Sequence, residues 1–292
     1  MEVKTIAVIG AGTMGRGIAY ASAVGGYCTV LEDISPTMLE QGVSWIRQAL
    51  EEGVTRGKLD PASKARALAN LKTANKIDDS IRDADLIIEA VPEEMEMKLE
   101  LFAIFDKFAK PNAIFASNTS SLSITDMSDV TVCRERCIGM HFFNPVPKMK
   151  LLELVKTPLT SEQTVVICRE VGRRMGKEVV VVKDSPGFVT SRVSAIISNE
   201  AFALLECGVA SAEDIDKALK LGLNHPMGPL ELADLVGLDV CLHVLEYLHE
   251  TLGEKYRPNT LLEEYVREGR LGRKTGRGVF DYAPPRAGSD KQ

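Results

Sequence analysis

No stretch of this sequence approaches ~18 uninterrupted apolar residues, so no membrane-spanning helix is expected. Positive charge is not in excess either. Lys and Arg number 35 against 41 Asp and Glu, a net charge of −6, and the pI near 5.4 argues against a general nucleic-acid binder. The six cysteines, at 28, 133, 137, 168, 207 and 241, do not suggest a disulfide framework in a chain of 292 residues. Lying mostly among apolar neighbours, they are expected to be reduced core thiols. The first apolar run begins at Thr5, so no signal or transit peptide is expected. A soluble protein of a reducing compartment, the cytoplasm, is the expectation. Internal repeats are missing, and the polar end of the chain, residues 284–292, is expected to fray.

What is present is an ordinary globular composition, 45% hydrophobic and 26% charged, long enough for one large domain or two. Up to residue 184, short β-type runs alternate with helical patterns. The runs are "TIAVIG" (5–10), "CTVLED" (28–33), "ADLIIEAV" (84–91), "AIFASN" (113–118), "CIGMHF" (137–142), "LLELV" (151–155) and "EVVVVKD" (178–184). Several are continuously apolar, as strands covered on both faces should be, and their alternation with helices predicts a doubly wound, mostly parallel sheet. After "DSPGF" (184–188) the pattern becomes helical throughout: "SRVSAIISNEAFALLECG", "SAEDIDKALKLG", "GPLELADLVGLDVCLHVLEYLHETLG" and "TLLEEYVREG". The fold class is therefore α/β, a Rossmann-type domain over residues 1–185 followed by an all-helical domain over residues 186–283. The wide apolar faces around Ala195–Leu205 and Val240–Leu248 predict packing against a second copy; a well-filled intramolecular bundle is the alternative.

"VIGAGTMGRGIA" places Gly10, Gly12 and Gly15 as G-x-G-x-x-G directly after one strand pattern and at the start of a helix pattern. That is the context in which the motif binds a dinucleotide: one glycine for the turn, one for approach of the pyrophosphate, one for close helix–strand packing. Met14 lies in the same loop and is counted with the cofactor residues. Asp33, about 20 residues on, stands where a carboxylate accepts from the adenosine ribose. With Glu32 beside it and no Arg or Lys in the next several positions, NAD is favoured over NADP. The bland alternative is a glycine turn followed by a surface Asp.

Two ionisable residues sit inside apolar runs, His141 in "CIGMHF" and Glu153 in "LLELV". A buried ionisable group is costly unless paired, so either they pair with each other across "NPVPK", where proline ends strand pairing, or His141 is structural and Glu153 is an edge residue beside Lys150. Cys133, Cys137 and His141 share a spacing of four, but "CIGMH" has strand character and no fourth ligand is near, so no metal is expected.

"VIGAGTMGRGIA", "ASNTSSLSIT", "GMHFFNPVPKMKLLELV", "KDSPGFVTSR", "HPMGPLELADLVGLD" and "LGRKTGRGVFDY", in this order over about residues 3–282, together resemble the short-chain L-3-hydroxyacyl-CoA dehydrogenase family, with the bacterial 3-hydroxybutyryl-CoA dehydrogenases closest in look. The resemblance implies NAD-linked interconversion of (S)-3-hydroxyacyl-CoA and 3-oxoacyl-CoA; a homodimer through the apolar helices is the expected assembly. The resemblance also implies that His141 is the catalytic base and Glu153 its carboxylate partner, and that Asn144 and Ser120 hold substrate and nicotinamide. Glu93, Lys98 and Lys274 match positions near the cofactor, and Arg47, Arg56 and Lys58 are candidates for the CoA phosphates. Ser120 has a helix N-cap as its plain alternative, Asn144 a turn position, and the three basic residues a solvated helix face. The sequence departs from the family at Ser191, where Asn commonly precedes the Arg of the "PGF" motif; serine still donates a hydrogen bond but reaches less far. A related NAD-dependent hydroxy-acid or gulonate-type dehydrogenase is the other activity compatible with these motifs.

Overall fold

The computed structural model describes residues 2–282; the expected frayed end, residues 284–292, lies outside them. The chain divides into two compact units after Ser185.

The first unit is one eight-stranded sheet in the order β3-β2-β1-β4-β5-β6-β7-β8. Its strands are β1 (Thr5–Ile9), β2 (Cys28–Glu32), β3 (Leu71–Ala74), β4 (Leu86–Glu89), β5 (Ile114–Ser117), β6 (Cys137–Phe142), β7 (Leu151–Lys156) and β8 (Glu178–Lys183). Helices α1 (Thr13–Val24), α2 (Pro36–Thr55), α3 (Pro61–Asn70), α4 (Ile77–Ile81), α5 (Met95–Phe108), α6 (Ile124–Asp129) and α7 (Glu162–Arg174) connect them. All neighbouring strands run parallel except β6 and β7, which are antiparallel. The central strands β4, β5 and β6 are buried at every residue, which matches their mostly apolar sequences, with Glu89, Ser117 and His141 as the polar exceptions. Helix starts are marked locally. Ser35 and Asp60 accept from the N–H of Met38 and Ser63, each with proline at the first helical position, where its fixed φ costs nothing.

Two strands differ from the sequence expectation. β3, "LKTA", was not expected, because it is an edge strand of four residues with Lys72 and Thr73 exposed and has no apolar run to announce it. β8 is apolar in sequence but forms the opposite edge, with Glu178, Val180 and Lys183 exposed.

The second unit contains α8 (Thr190–Glu206), α9 (Ala212–Gly222), α10 (Pro229–Val236), α11 (Leu238–Leu252) and α12 (Thr260–Arg267). The continuous helical pattern at 228–253 is in fact two helices. Gly237 breaks it at φ 110°, a conformation that favours glycine, and Leu238 N donates to Leu271 O. Phe202, Leu230, Leu238, Leu245, Leu248 and Leu262 form this unit's own core. Much of the apolar surface expected to face a second copy is therefore used internally, including Ala195, Ala201, Leu245 and Leu248. Val193, Leu235, Val236 and Val240 remain 44–53% exposed. Among the described residues no helix is long and apolar enough to cross a membrane.

Candidate active site

The glycine loop leaves β1 at Gly10, whose φ is 99° and whose added Cβ would sit 2.8 Å from Ala90 O. A Cβ on Gly15 would fall 1.7 Å from Gly10 O, so neither position tolerates a side chain. Gly12 differs: a Cβ there meets nothing within 4 Å, and no side chain caps the start of α1. The loop thus presents open space in front of helix N–H donors, which fits the pyrophosphate of a dinucleotide. Met14 is turned back against the core of this unit. Asp33 Oδ2 accepts from Ala11 N at 2.8 Å and Oδ1 from Ser35 N at 2.9 Å, tying the glycine loop to the end of β2. Each oxygen keeps a second acceptor site for a ribose hydroxyl. Glu32 is 2% exposed and its Oε1 has no hydrogen-bond partner. Burial, and then the charge of Asp33, push its carboxyl up to about 7.

A buried polar cluster occupies the ends of β4 and β5. Lys98 Nζ donates to Glu89 Oε1 at 2.7 Å and lies 3.2 Å from Glu93 Oε2. Glu93 Oε1 accepts from the Thr119 hydroxyl at 2.5 Å and from Ser120 N at 2.9 Å. Burial opposes ionisation of Glu93, but Lys98, Thr119 and the Ser120 N–H outweigh it and hold the carboxyl below the ordinary range. Ser120 does not cap α6; Ser123 does, accepting from Asp126 N. Glu89 was missed in the sequence, although the signal resembles that of Glu153, a carboxylate inside the apolar run "ADLIIEAV".

His141 and Glu153 are directly opposed in the β6–β7 ladder, and His141 Nδ1 lies 2.8 Å from Glu153 Oε2. Opposed residues of an antiparallel pair point to one face with adjacent Cβ atoms, so the single antiparallel pairing of the sheet is what brings the two together. Glu153 is fully buried on a strand between β6 and β8, so it is not an edge residue beside Lys150. Phe142 N donates to Asn118 Oδ1 at 3.0 Å, fastening β6 to the end of β5, and the Phe143 ring lies 4.3 Å from that of His141, centre to centre. Asn144 is exposed and precedes Pro145 through a cis peptide bond. The connection back to β7 is held from beneath by Lys177, whose Nζ donates to Val146 O and to Met149 O. Lys177 was not singled out in the sequence.

In the second unit, Ser191 lies in the first turn of α8, half-buried. Lys274 Nζ contacts both Asp239 oxygens, at 2.6 and 2.7 Å. Arg47, Arg56 and Lys58 are exposed, and Arg56 lies 3.5 Å from Glu52. Among the described residues no group of three His, Cys, Asp or Glu side chains could hold a metal ion.

Comparison with known proteins places these features in one family. Residues 5–185 match the model of the 3-hydroxyacyl-CoA dehydrogenase NAD binding domain, and residues 187–282 match that of the 3-hydroxyacyl-CoA dehydrogenase C-terminal domain. A 3-hydroxybutyryl-CoA dehydrogenase of Bradyrhizobium diazoefficiens is 45% identical over 281 residues, covering 96% of each chain. A probable 3-hydroxybutyryl-CoA dehydrogenase of Bacillus subtilis is 44% identical over 283 residues, 97% of this chain and 98% of the relative. The crystal structure of (S)-3-hydroxybutyryl-CoA dehydrogenase from Ralstonia eutropha superposes with a TM-score of 0.93 at 45% identity, over 97% of this chain and 100% of that one.

Proposed function

The chain belongs to the 3-hydroxyacyl-CoA dehydrogenase family, which is NAD-dependent, and from that premise we propose that it interconverts short-chain (S)-3-hydroxyacyl-CoA, such as 3-hydroxybutyryl-CoA, and 3-oxoacyl-CoA. The observation that carries the chemistry is the buried His141–Glu153 pair at 2.8 Å. Oxidation of the 3-hydroxyl leaves a proton on oxygen, and a neutral imidazole is suited to take it near neutral pH. Nδ1 faces Glu153, so the exchange with substrate is assigned to Nε2. Glu153 fixes the ring's orientation and stabilises the imidazolium that forms. The nicotinamide, when bound, supplies the hydride acceptor or donor. Gly12 and the start of α1 hold the pyrophosphate, Asp33 the adenosine ribose, and Glu93, Lys98 and Ser120 the nicotinamide end. Ser120 and Asn144 orient the substrate, with Ser191 and Lys274 as further contacts to substrate and cofactor.

A homodimer formed through the helical unit is part of the same proposal, supported by the exposed Val193, Leu235, Val236 and Val240. A reducing compartment such as the cytoplasm accords with six free thiols.

The test is oxidation of NADH, against NADPH, with acetoacetyl-CoA and with free acetoacetate. Acetoacetyl-CoA should be reduced and the free acid should not. NADH should be preferred by about tenfold or more in kcat/KM, since like charge at a binding surface can cost several kcal/mol. Asp33→Ser should shrink that preference. Turnover of the free acid alone would overturn the substrate assignment, and equal rates with both nucleotides would overturn the role of Asp33.

A further inference from the structure

Asn144 lies outside the ladder that fixes the catalytic pair. The ladder pairs Gly139–Phe142 with Leu152–Val155, so His141 and Glu153 are held within it, and Phe142 N is tied to Asn118 as well. Asn144 stands two residues beyond the last pair, at the start of the loop back to β7. Pro145 and Pro147 follow it and have no N–H to give to a neighbour.

Two contacts from elsewhere in the unit hold this loop. Lys177 Nζ donates to Val146 O and, at 2.8 Å, to Met149 O. Val146 is buried, and its side chain lies against Gly17 of α1, where a Cβ would come 2.9 Å from Val146 Cβ and Cγ2. The end of α7 puts Lys177 in place. Gly176 turns the chain at φ 75°, with Gly176 N donating to Arg173 O and Lys177 N to Gly172 O, the pair of bonds that closes a helix on a glycine. Lys177 is 7% exposed, and burial pushes its pKa down. As ammonium or as amine it has a hydrogen for each carbonyl, so the clip does not depend on the charge. An apolar side chain would fill the same place without burying a polar group. What the lysine adds is its hold on the two carbonyls.

We propose that Lys177 is a positioning residue for the reaction: it clips the loop against α1 and so sets where the Asn144 amide meets the substrate. The proposal rests on the substrate role given to Asn144 above.

The experiment is a double-mutant cycle in the full chain, with Lys177→Met, Asn144→Ala and the double variant. It is read as kcat/KM for acetoacetyl-CoA with NADH, and the Kd for NADH is measured alongside. Lys177→Met keeps the apolar stem and removes the donors. It should lower kcat/KM by up to about 10²-fold, the effect of a misplacement of ~1 Å. In the Asn144→Ala background the same change should cost less than ~3-fold, because residues that act through one contact are not additive. The Kd for NADH should stay nearly unchanged; a rise that matches the loss in kcat/KM would place the effect at the cofactor and overturn the proposal. Equal losses in both backgrounds would reduce Lys177 to packing and overturn it, as would wild-type kcat/KM in Lys177→Met. Wild-type kcat/KM in Asn144→Ala would overturn the substrate role of Asn144, and this proposal with it. Should Lys177→Met not fold, Gly17→Ala presses on Val146 from the other side, and its loss must likewise vanish in the Asn144→Ala background; a loss that persists there overturns the proposal.

Discussion

His141 and Glu153 were legible in the sequence because each interrupts an apolar run, and an interruption is visible without any structure. Their pairing was one of two readings of the residues, and the one the resemblance implied; what the sequence did not carry is the means, β7 returning antiparallel in a register that opposes 141 to 153. His141→Gln should lower kcat by about 10²–10⁴, the worth of a positioned base. Glu153→Gln should also lower kcat while nearly preserving the Kd for NADH; wild-type turnover in Glu153→Gln would remove the orienting role. Glu32 offers a prediction of another kind. Its carboxyl, ordinarily near 4.5, titrates at about 7, so the folded chain holds a proton there that the unfolded chain has released. Stability from this residue is complete below ~4.5 and is lost as pH rises towards 7. The full loss is about 3 kcal/mol at ~1.4 kcal/mol per pKa unit. Glu32→Gln should flatten that slope, with the difference largest near pH 8 in urea melts. Parallel pH dependence in both proteins would mean that Glu32 is not the group responsible.

At the scale of elements, α10 shows why some motifs could be matched in the sequence before they could be explained. Its N-terminus is held by Asp216, which accepts from Leu230 N and Glu231 N. A Cβ on Gly228 would lie 2.1 Å from the Asp216 carboxyl carbon. From within the helix, the buried Asp234 accepts from Val279 N, Phe280 N and the Tyr282 hydroxyl at 2.8–2.9 Å. Cβ atoms on Gly272 and Gly278 would fall 2.3 and 2.0 Å from Asp234 oxygens. Gly272 therefore admits the backbone carbonyl, and Gly278 the carboxylate, of Asp234 on a distant helix, contacts that no local pattern reveals. Asp234→Ala strands these donors in the interior and should cost about 3 kcal/mol or more. Asp234→Asn, which retains one acceptor, should cost less. Equal denaturation midpoints for wild type and Asp234→Ala would show that the lock contributes nothing.

For the whole molecule, most strands, the mostly parallel sheet and the change to helices after it were readable, because strands covered on both faces are largely apolar and buried helices are periodic. What was lost lay at edges and junctions. β3 is too short and polar to register, and Gly237 splits a pattern that remains periodic on both sides of it. The size of the apolar surface was legible but not its use, since the same stripe that suggests a second copy also fills the core around Phe202. Sedimentation at micromolar concentration should give about twice the 31.9 kDa chain mass, as expected of a two-fold assembly. A single-chain mass would mean that the remaining exposed valines and leucine are too few to hold a partner.

The Asp234 contacts also bear on how the chain is made. Translation delivers the sheet first, with β8 finished at Lys183. Asp234 is synthesised long before the groups that satisfy it, which lie 45, 46 and 48 positions further on. Until they arrive, a buried carboxylate would go uncompensated, so α10 has to keep it in water and the helical unit cannot close. A ribosome halted at residue 270 would therefore carry a chain whose sheet has all its strands and whose helical third stays open to proteases.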